Sequence, residues 1–195
     1  LRPLLAVPKT YNPKGLSLFT YAYLDRAQAL ADRNAQRQAE ALLDLLNAEI
    51  SLGDYAGKAW GYHYPWQDLG FFSPAKTPNA VVTSFVCEAF LQAYRVTGEA
   101  RYLEIVERAI PFFTRDLPVL LDEPDRLCLG YQPVPMTMRV MDVSILVGAV
   151  LAQFGELSGD LRYRDTATRL TAYVVGQQTE QGAWWYTDPP EDSPI

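Results

Sequence analysis

Thr97-Gly98-Glu99-Ala100-Arg101-Tyr102 and Ser158-Gly159-Asp160-Leu161-Arg162-Tyr163 are one junction written twice, 61 residues apart. In each, a glycine suited to a helix C-cap is followed by an acidic residue that opens the next helix. The flanking helices repeat as well. Upstream of each junction, residues 80–94 and 140–157 are apolar almost all round, which is the pattern of a helix buried on most faces. Downstream, 100–115 and 161–175 are amphipathic; the first carries Leu103, Val106, Ile110 and Phe113 on one side and Glu104 and Arg108 on the other.

A third pair precedes these two. Asn12-Pro13 offers a capping Asn and a Pro at the first helical position, and a second helix from about Ala35 to Ile50, stopped by Gly53, has an apolar stripe through Ala39, Leu42, Leu43 and Leu46. The spacing predicts helices over 13–32, 35–51, 78–97, 99–116, 138–158 and 160–177, with no sheet larger than a short hairpin. A unit of about 60 residues, each a buried helix and an amphipathic one, is the signature of a stacked-hairpin array. The expected fold class is all-α, an α/α-toroid type array of three hairpins, an incomplete (α/α)6 barrel of about six helices. Residues 1–195 read as one α/α-hairpin domain.

The loops ahead of the buried helices rhyme as Trp60-Gly61-Tyr62, Leu129-Gly130-Tyr131 and Trp184-Trp185-Tyr186. No fourth hairpin follows the last of them, and the chain opens on Leu1, so truncation at the C-terminal end is the expectation beside that of a self-contained six-helix array. Truncation would leave apolar surface on the helices near 80–95 and 140–155, an open edge with room for a second copy in a homo-oligomer.

Composition narrows the function classes. The net charge of −6 argues against nucleic acid as a partner. The longest apolar run, Val140 to Phe154, has 15 residues and includes Asp142, which argues against a membrane span. Two distant cysteines and a single histidine give no metal-ligand spacing, so neither a metal nor another cofactor is expected. A cytoplasmic location is expected.

The stretch Trp60-Gly61-Tyr62-His63-Tyr64-Pro65-Trp66-Gln67, with Phe71-Phe72-Ser73-Pro74 and Thr77-Pro78-Asn79, resembles a family of α/α-toroid proteins encoded in bacterial gene clusters for extracellular or capsular polysaccharide synthesis. Lys9 to Leu16 and Gln178-x-x-x-Gly182-x-Trp184 fit the same resemblance. It implies the (α/α) barrel shared by six-hairpin glycosidases, polysaccharide lyases, sugar epimerases and terpenoid cyclases. A fold so widely used supplies a context and not a mechanism. The Gln–Trp motif is similar to half of the terpenoid cyclase repeat. The acidic Asp-x-Asp-Asp motif of those enzymes has no counterpart at Asp122-Glu123-Pro124-Asp125, so cyclase activity is not expected.

In a toroid, the loops entering the inner helices line the central cavity. They hold all four tryptophans and the histidine. Aromatic faces stack on sugar rings while amides and carboxylates bond the hydroxyls. Trp60, Tyr62, Trp66, Gln67, Asn79, Tyr131 and Trp184 are therefore the expected substrate-binding residues, unless the rings simply pack against one another. Asp142 and His63 are the expected catalytic residues. Asp142 alternatively caps its helix, and His63 alternatively holds its loop by hydrogen bonding. Asp68 and Asp188 are further acids on the cavity side, and Glu88 sits mid-helix. The partner is an oligo- or polysaccharide, with anionic sugars such as uronic acids favoured by the helix N-termini. Two functions remain open: a glycosidase-like or epimerase-like enzyme of polysaccharide biosynthesis, and a non-catalytic glycan-binding or scaffold protein of a synthesis complex. Convergent carboxylates would mark the first, and aromatics with amides, acids turned away, the second.

Overall fold

The two matching junctions fold alike. Gly98 and Gly159 take left-handed conformations, with φ of 72° and 75°. The hydroxyls of Thr97 and Ser158 each donate to the carbonyl four residues back, Ala93 and Phe154, both at 2.7 Å. Each hydroxyl also accepts from the N–H two residues on, Glu99 and Asp160, at 3.2 Å. Sequence similarity at the junction has become the same capped turn.

The computed structural model describes Leu4 and residues 9–49, 53–68 and 70–192. It is all-α apart from short strand pairs. The helices are α1 (Pro13–Leu30), α2 (Arg33–Ala48), α3 (Ala80–Thr97), α4 (Ala100–Pro111), α5 (Met141–Ser158) and α6 (Arg162–Gly176). Asp32 accepts from the N–H groups of Asn34 and Ala35, so α2 starts two residues earlier than its periodicity predicts. It ends at Ala48, and residues 50 and 51 of the expected helix lie outside the described residues.

Helix α4 stops at Pro111, short of the expected 116, and a single π-helical turn (Phe112–Asp116) replaces its end. Proline has no N–H to continue the ladder. The Phe112 N–H turns to the Ala109 and Ile110 carbonyls, and the Arg108 carbonyl that it leaves free accepts from the Lys58 N–H at 2.8 Å. The Asp116 carboxylate accepts from the N–H groups of Ala56 and Gly57, both at 3.1 Å, and so clamps the incoming loop to the turn.

Helices α1, α3 and α5 lie side by side as an inner row, with α3 between the other two, and α2, α4 and α6 back them. The core between the rows includes Leu43, Phe90, Val106, Phe112, Val147 and Leu151. Contrary to expectation, α3 has no open edge: its neighbours cover both sides. The exposed stripe belongs to α5, where Ile145 and Ala152 face solvent. Over Met141–Ser158 the mean hydropathy is 1.3, enough by length and composition alone to cross a bilayer, and half of that stretch is buried inside the protein, as a core helix is.

Three two-stranded antiparallel ladders stiffen the loops: β1 (Trp66–Gln67) with β2 (Phe72–Ser73), β3 (Val119–Asp122) with β4 (Leu127–Leu129), and β5 (Arg139–Val140) with β6 (Thr187–Asp188). The rhyming aromatic loops do a common job. The Tyr131 carbonyl accepts from the Ala80 N–H at 2.8 Å, and the Tyr186 carbonyl accepts from the Met141 N–H at 2.9 Å. The second and third aromatic loops thus each cap the inner helix of the hairpin before them, satisfying a donor that the helix itself leaves free.

Gly61 allows the first of these loops to touch the α3 entry. A Cβ there would stand 1.9 Å from the Thr77 carbonyl oxygen, which is backbone and cannot swing away. Gly61→Ala should cost about 1–3 kcal/mol by forcing the strands apart. Gly98→Ala, with open space around it but a left-handed φ, should cost about 1 kcal/mol. Urea unfolding of the two variants checks the order, and equal losses would contradict the close approach.

Candidate functional site

The N-terminal ends of α1, α3 and α5 bring Lys14, Ala80 and Asp142 to the same end of the inner row. Three loops close over that end. Trp66 makes edge-on contacts with Tyr62, Phe71 and Tyr131, at ring-centroid distances of 6.0, 5.2 and 5.5 Å. Tyr62 stacks on Tyr64 at 5.3 Å. From the other side, Trp184, Trp185 and Tyr186 join Met141, Asp142, Ile145, Val174 and Val175 around an open trough of about 700 Å³. That volume is in the range of small-molecule sites.

Asp142 keeps one side open to this trough. The protein around the rest of its carboxyl strips away water and raises its pKa, against the opposing charge of Lys14. No side chain caps α5, so Asp142 does not serve as its N-cap. It does sit in the first turn, where a negative charge meets the positive end of the helix.

The tyrosines report which acids are near. Burial pushes the Tyr186 phenol up to about 12, and the charges of Asp68, Asp142 and Tyr62 add to the effect. Burial likewise raises Tyr131, reinforced by Tyr62, Asp142, Tyr186 and Asp68. Tyr62 is raised by burial, then by Tyr64 and Asp142. Asp142 and Asp68 therefore bear on the same pair of phenols, with Lys14 as the nearby cation.

Several expected site residues have other tasks. Trp60 is not a binding residue: it is 1% exposed, and its indole Nε1–H donates to the Leu46 carbonyl at 2.7 Å. Asn79 is fully buried and caps α3, accepting from the Val82 N–H at 2.8 Å. Gln67 is turned into its own hairpin, donating to the Asp68 and Phe71 carbonyls. His63 Nε2 lies 3.0 Å from Glu49 Oε2, both side chains largely covered. It joins the β1 loop to the end of α2 beside Pro13, Ala59 and Lys76, outside the trough lining.

Tyr62, Trp66 and Tyr131 do come together, although Tyr131 is 6% exposed and presents little surface. Trp184 donates its indole N–H to the Val174 carbonyl at 2.7 Å and turns its ring into the trough. Gln178 donates to the Gly182 carbonyl, so the Gln–Trp motif ties its loop to the end of α6. Asp188 is engaged by Arg139 and the Tyr173 hydroxyl, each at 3.1 Å. Glu88 lies mid-helix on α3, raised by burial and partly offset by Arg95. Trp185 and Tyr186, in the last of the cavity-side loops, line the trough as well, and their position after the last helix is the signal for it. Among the described residues, no three His, Cys, Asp or Glu side chains gather as a metal site.

No protein-family model matches the chain, and no curated protein does. Its fold is similar to that of the Lin0763 protein from Listeria innocua, with a TM-score of 0.65 and 12% identity over 92% of this chain and 45% of that one. A cellobiose 2-epimerase from Spirochaeta thermophila aligns at a TM-score of 0.48 and 16% identity, over 94% of this chain and 64% of the enzyme. The chain thus spans less than two thirds of either neighbour. At such identities the likeness to Lin0763 concerns the fold alone.

Proposed function

We propose that this protein processes carbohydrate, with a glycosidase-like or epimerase-like activity in polysaccharide biosynthesis or processing, and that the trough at the inner-helix N-termini is its active site. One observation carries the reading: Asp68 and Asp142 bear on the same two tyrosines, between aromatic rings from two loops. Two acids whose charges fall on one aromatic cluster support a two-carboxylate site. The amides a simple glycan binder would use, those of Gln67 and Asn79, are turned to the protein's own backbone.

The roles follow from environment. Desolvation holds a proton on Asp142 to higher pH than on an ordinary carboxyl, which suits a general acid. Asp68 serves as the second carboxylate, the base or nucleophile of a two-carboxylate site. Trp184, Trp185 and Tyr186 supply the platform for the sugar ring. A neutral sugar suits the trough better than a uronate. The first free N–H groups of α3 and α5 are already bonded to Tyr131 and Tyr186 carbonyls, and the Asp142 carboxyl stands in the lining where an anion would sit.

Titration with neutral oligosaccharides, followed by chromatography of the products, tests the proposal. Trp185 is 55% exposed in the trough. Trp185→Ala should weaken binding by about 0.5–1.5 kcal/mol, up to about tenfold, without changing the melting temperature. Unchanged affinity in that variant contradicts the trough as the site. Binding without turnover supports the glycan-binding, non-catalytic reading instead.

A further inference from the structure

The trough offers few partners to a hydroxyl group. Met141, Ile145, Val174 and Val175 make part of its lining apolar, and the partly exposed rings of Trp184, Trp185 and Tyr186 make it aromatic. The Trp184 indole N–H is already given to the Val174 carbonyl. Among the described lining residues there is no side-chain amide, lysine, arginine or histidine, and Asp142 is the one charged side chain. A neutral sugar finds stacking surface there and little to bond its hydroxyls.

A single carboxyl among aromatic rings complements a different group. The face of an aromatic ring carries the negative part of its quadrupole and attracts an ammonium. A carboxylate beside it adds a charge-assisted hydrogen bond. The protein brings no cation of its own to the lining. Lys14, whose charge reaches Asp142, is held over the Phe85 ring of α3. Arg139 is paired with Asp188 at 3.1 Å. On the acidic side, the charge of Asp68 bears on Tyr186 together with that of Asp142, and the whole chain carries −6.

We propose that the trough prefers a sugar bearing a protonated amine, a hexosamine without its acyl group, with the ammonium beside Asp142 and the pyranose ring on the aromatic residues. The preference rests on the carbohydrate reading of the trough and names a substrate class within it. An acetamide or a hydroxyl at the same carbon is neutral and loses the ion pair. A bound ammonium also favours the ionised form of Asp142. In turnover, the alkaline limb of a pH–rate profile should therefore lie lower for an aminated substrate than for a neutral one.

Three β-1,4-linked tetrasaccharides that differ at one carbon of each ring, those of glucosamine, N-acetylglucosamine and glucose, test the preference by calorimetry. At about pH 6.5 and low salt, the glucosamine form should bind about tenfold tighter than the other two. A sugar amine of the α-amino kind loses its proton near pH 8, so the advantage should vanish at about pH 9. It should fade in acid as Asp142 takes up its proton, above the ordinary aspartate range because burial raises that carboxyl. Asp142→Asn should remove it as well, with melting curves to show that the variant folds. Equal affinities for the glucosamine and glucose forms overturn the proposal. So does a preference that survives Asp142→Asn, because that is the general attraction of an acidic chain for a polycation. Tetramethylammonium chloride that displaces the glucosamine form at equal concentration assigns the trough to ammonium ions at large, and overturns it too. Binding of the glucose form without the preference leaves the carbohydrate reading standing, whereas binding of none of the three removes both.

Discussion

Trp60→Ala should destabilise the protein by about 3–5 kcal/mol, the loss expected when a large buried aromatic leaves a cavity. The indole is 1% exposed, packs near Phe90 with ring centroids 6.3 Å apart, and carries the Lys58 ammonium 5.3 Å from its own ring. Its N–H satisfies the carbonyl of Leu46, one of the last residues of α2. Trp60→Phe separates the two contributions: most of the ring volume stays and the donor goes, leaving a buried carbonyl unpaired at about 1–3 kcal/mol. Chemical unfolding of both variants should therefore give a graded loss, while sugar affinity of the folded Trp60→Phe protein stays at the wild-type level. A Phe variant that folds as stably as the wild type but loses sugar would return Trp60 to the binding site.

The Trp60 result bears on what a sequence makes legible. Hairpin order, helix type and the Gly98 and Gly159 junctions follow from local rules, because periodicity and capping act over three or four residues. The fate of an aromatic residue in a loop does not. Trp60 and Trp184 stand in rhyming tripeptides, and each indole N–H reaches the carbonyl of a residue near the end of an outer helix, Leu46 or Val174. Yet Trp60 is enclosed by the next hairpin, and Trp184 stands at the uncovered edge with its ring 44% exposed. Position in the array decides between core and surface, and composition cannot show it. Asn79 caps α3 where the periodicity starts the helix at residue 78, and a side chain accepting from the N–H three residues on has little freedom left for a ligand. His63 depended on Glu49, 14 residues earlier in the chain, a pairing no local pattern announces. Asp142 alone among the expected catalytic residues reaches the trough.

Asp142→Asn should abolish turnover of a neutral oligosaccharide, by about 10²–10⁴-fold if the carboxyl is the general acid, and should raise stability at neutral pH. The sign of the stability change follows from linkage. Desolvation raises the carboxyl's pKa in the folded protein above its unfolded value. Its protonated form therefore favours folding below the ordinary carboxylate range, and that contribution is lost as pH rises through the raised pKa. An amide resembles the protonated acid at every pH, so the variant should melt higher than the wild type at neutral pH and level with it in acid. A carboxylate whose main work is to complement the α5 macrodipole makes the opposite forecast: its loss should lower stability at neutral pH by up to about 1 kcal/mol and leave turnover unaltered. Melting curves from pH 3 to 8, a range chosen about the ordinary carboxyl pKa, distinguish the two when set beside a turnover assay. Lys14 sharpens the comparison, because its charge favours the ionised form against burial. Lys14→Met should push the Asp142 titration further up and move the alkaline limb of a pH–rate profile with it, which no dipole effect on stability would do.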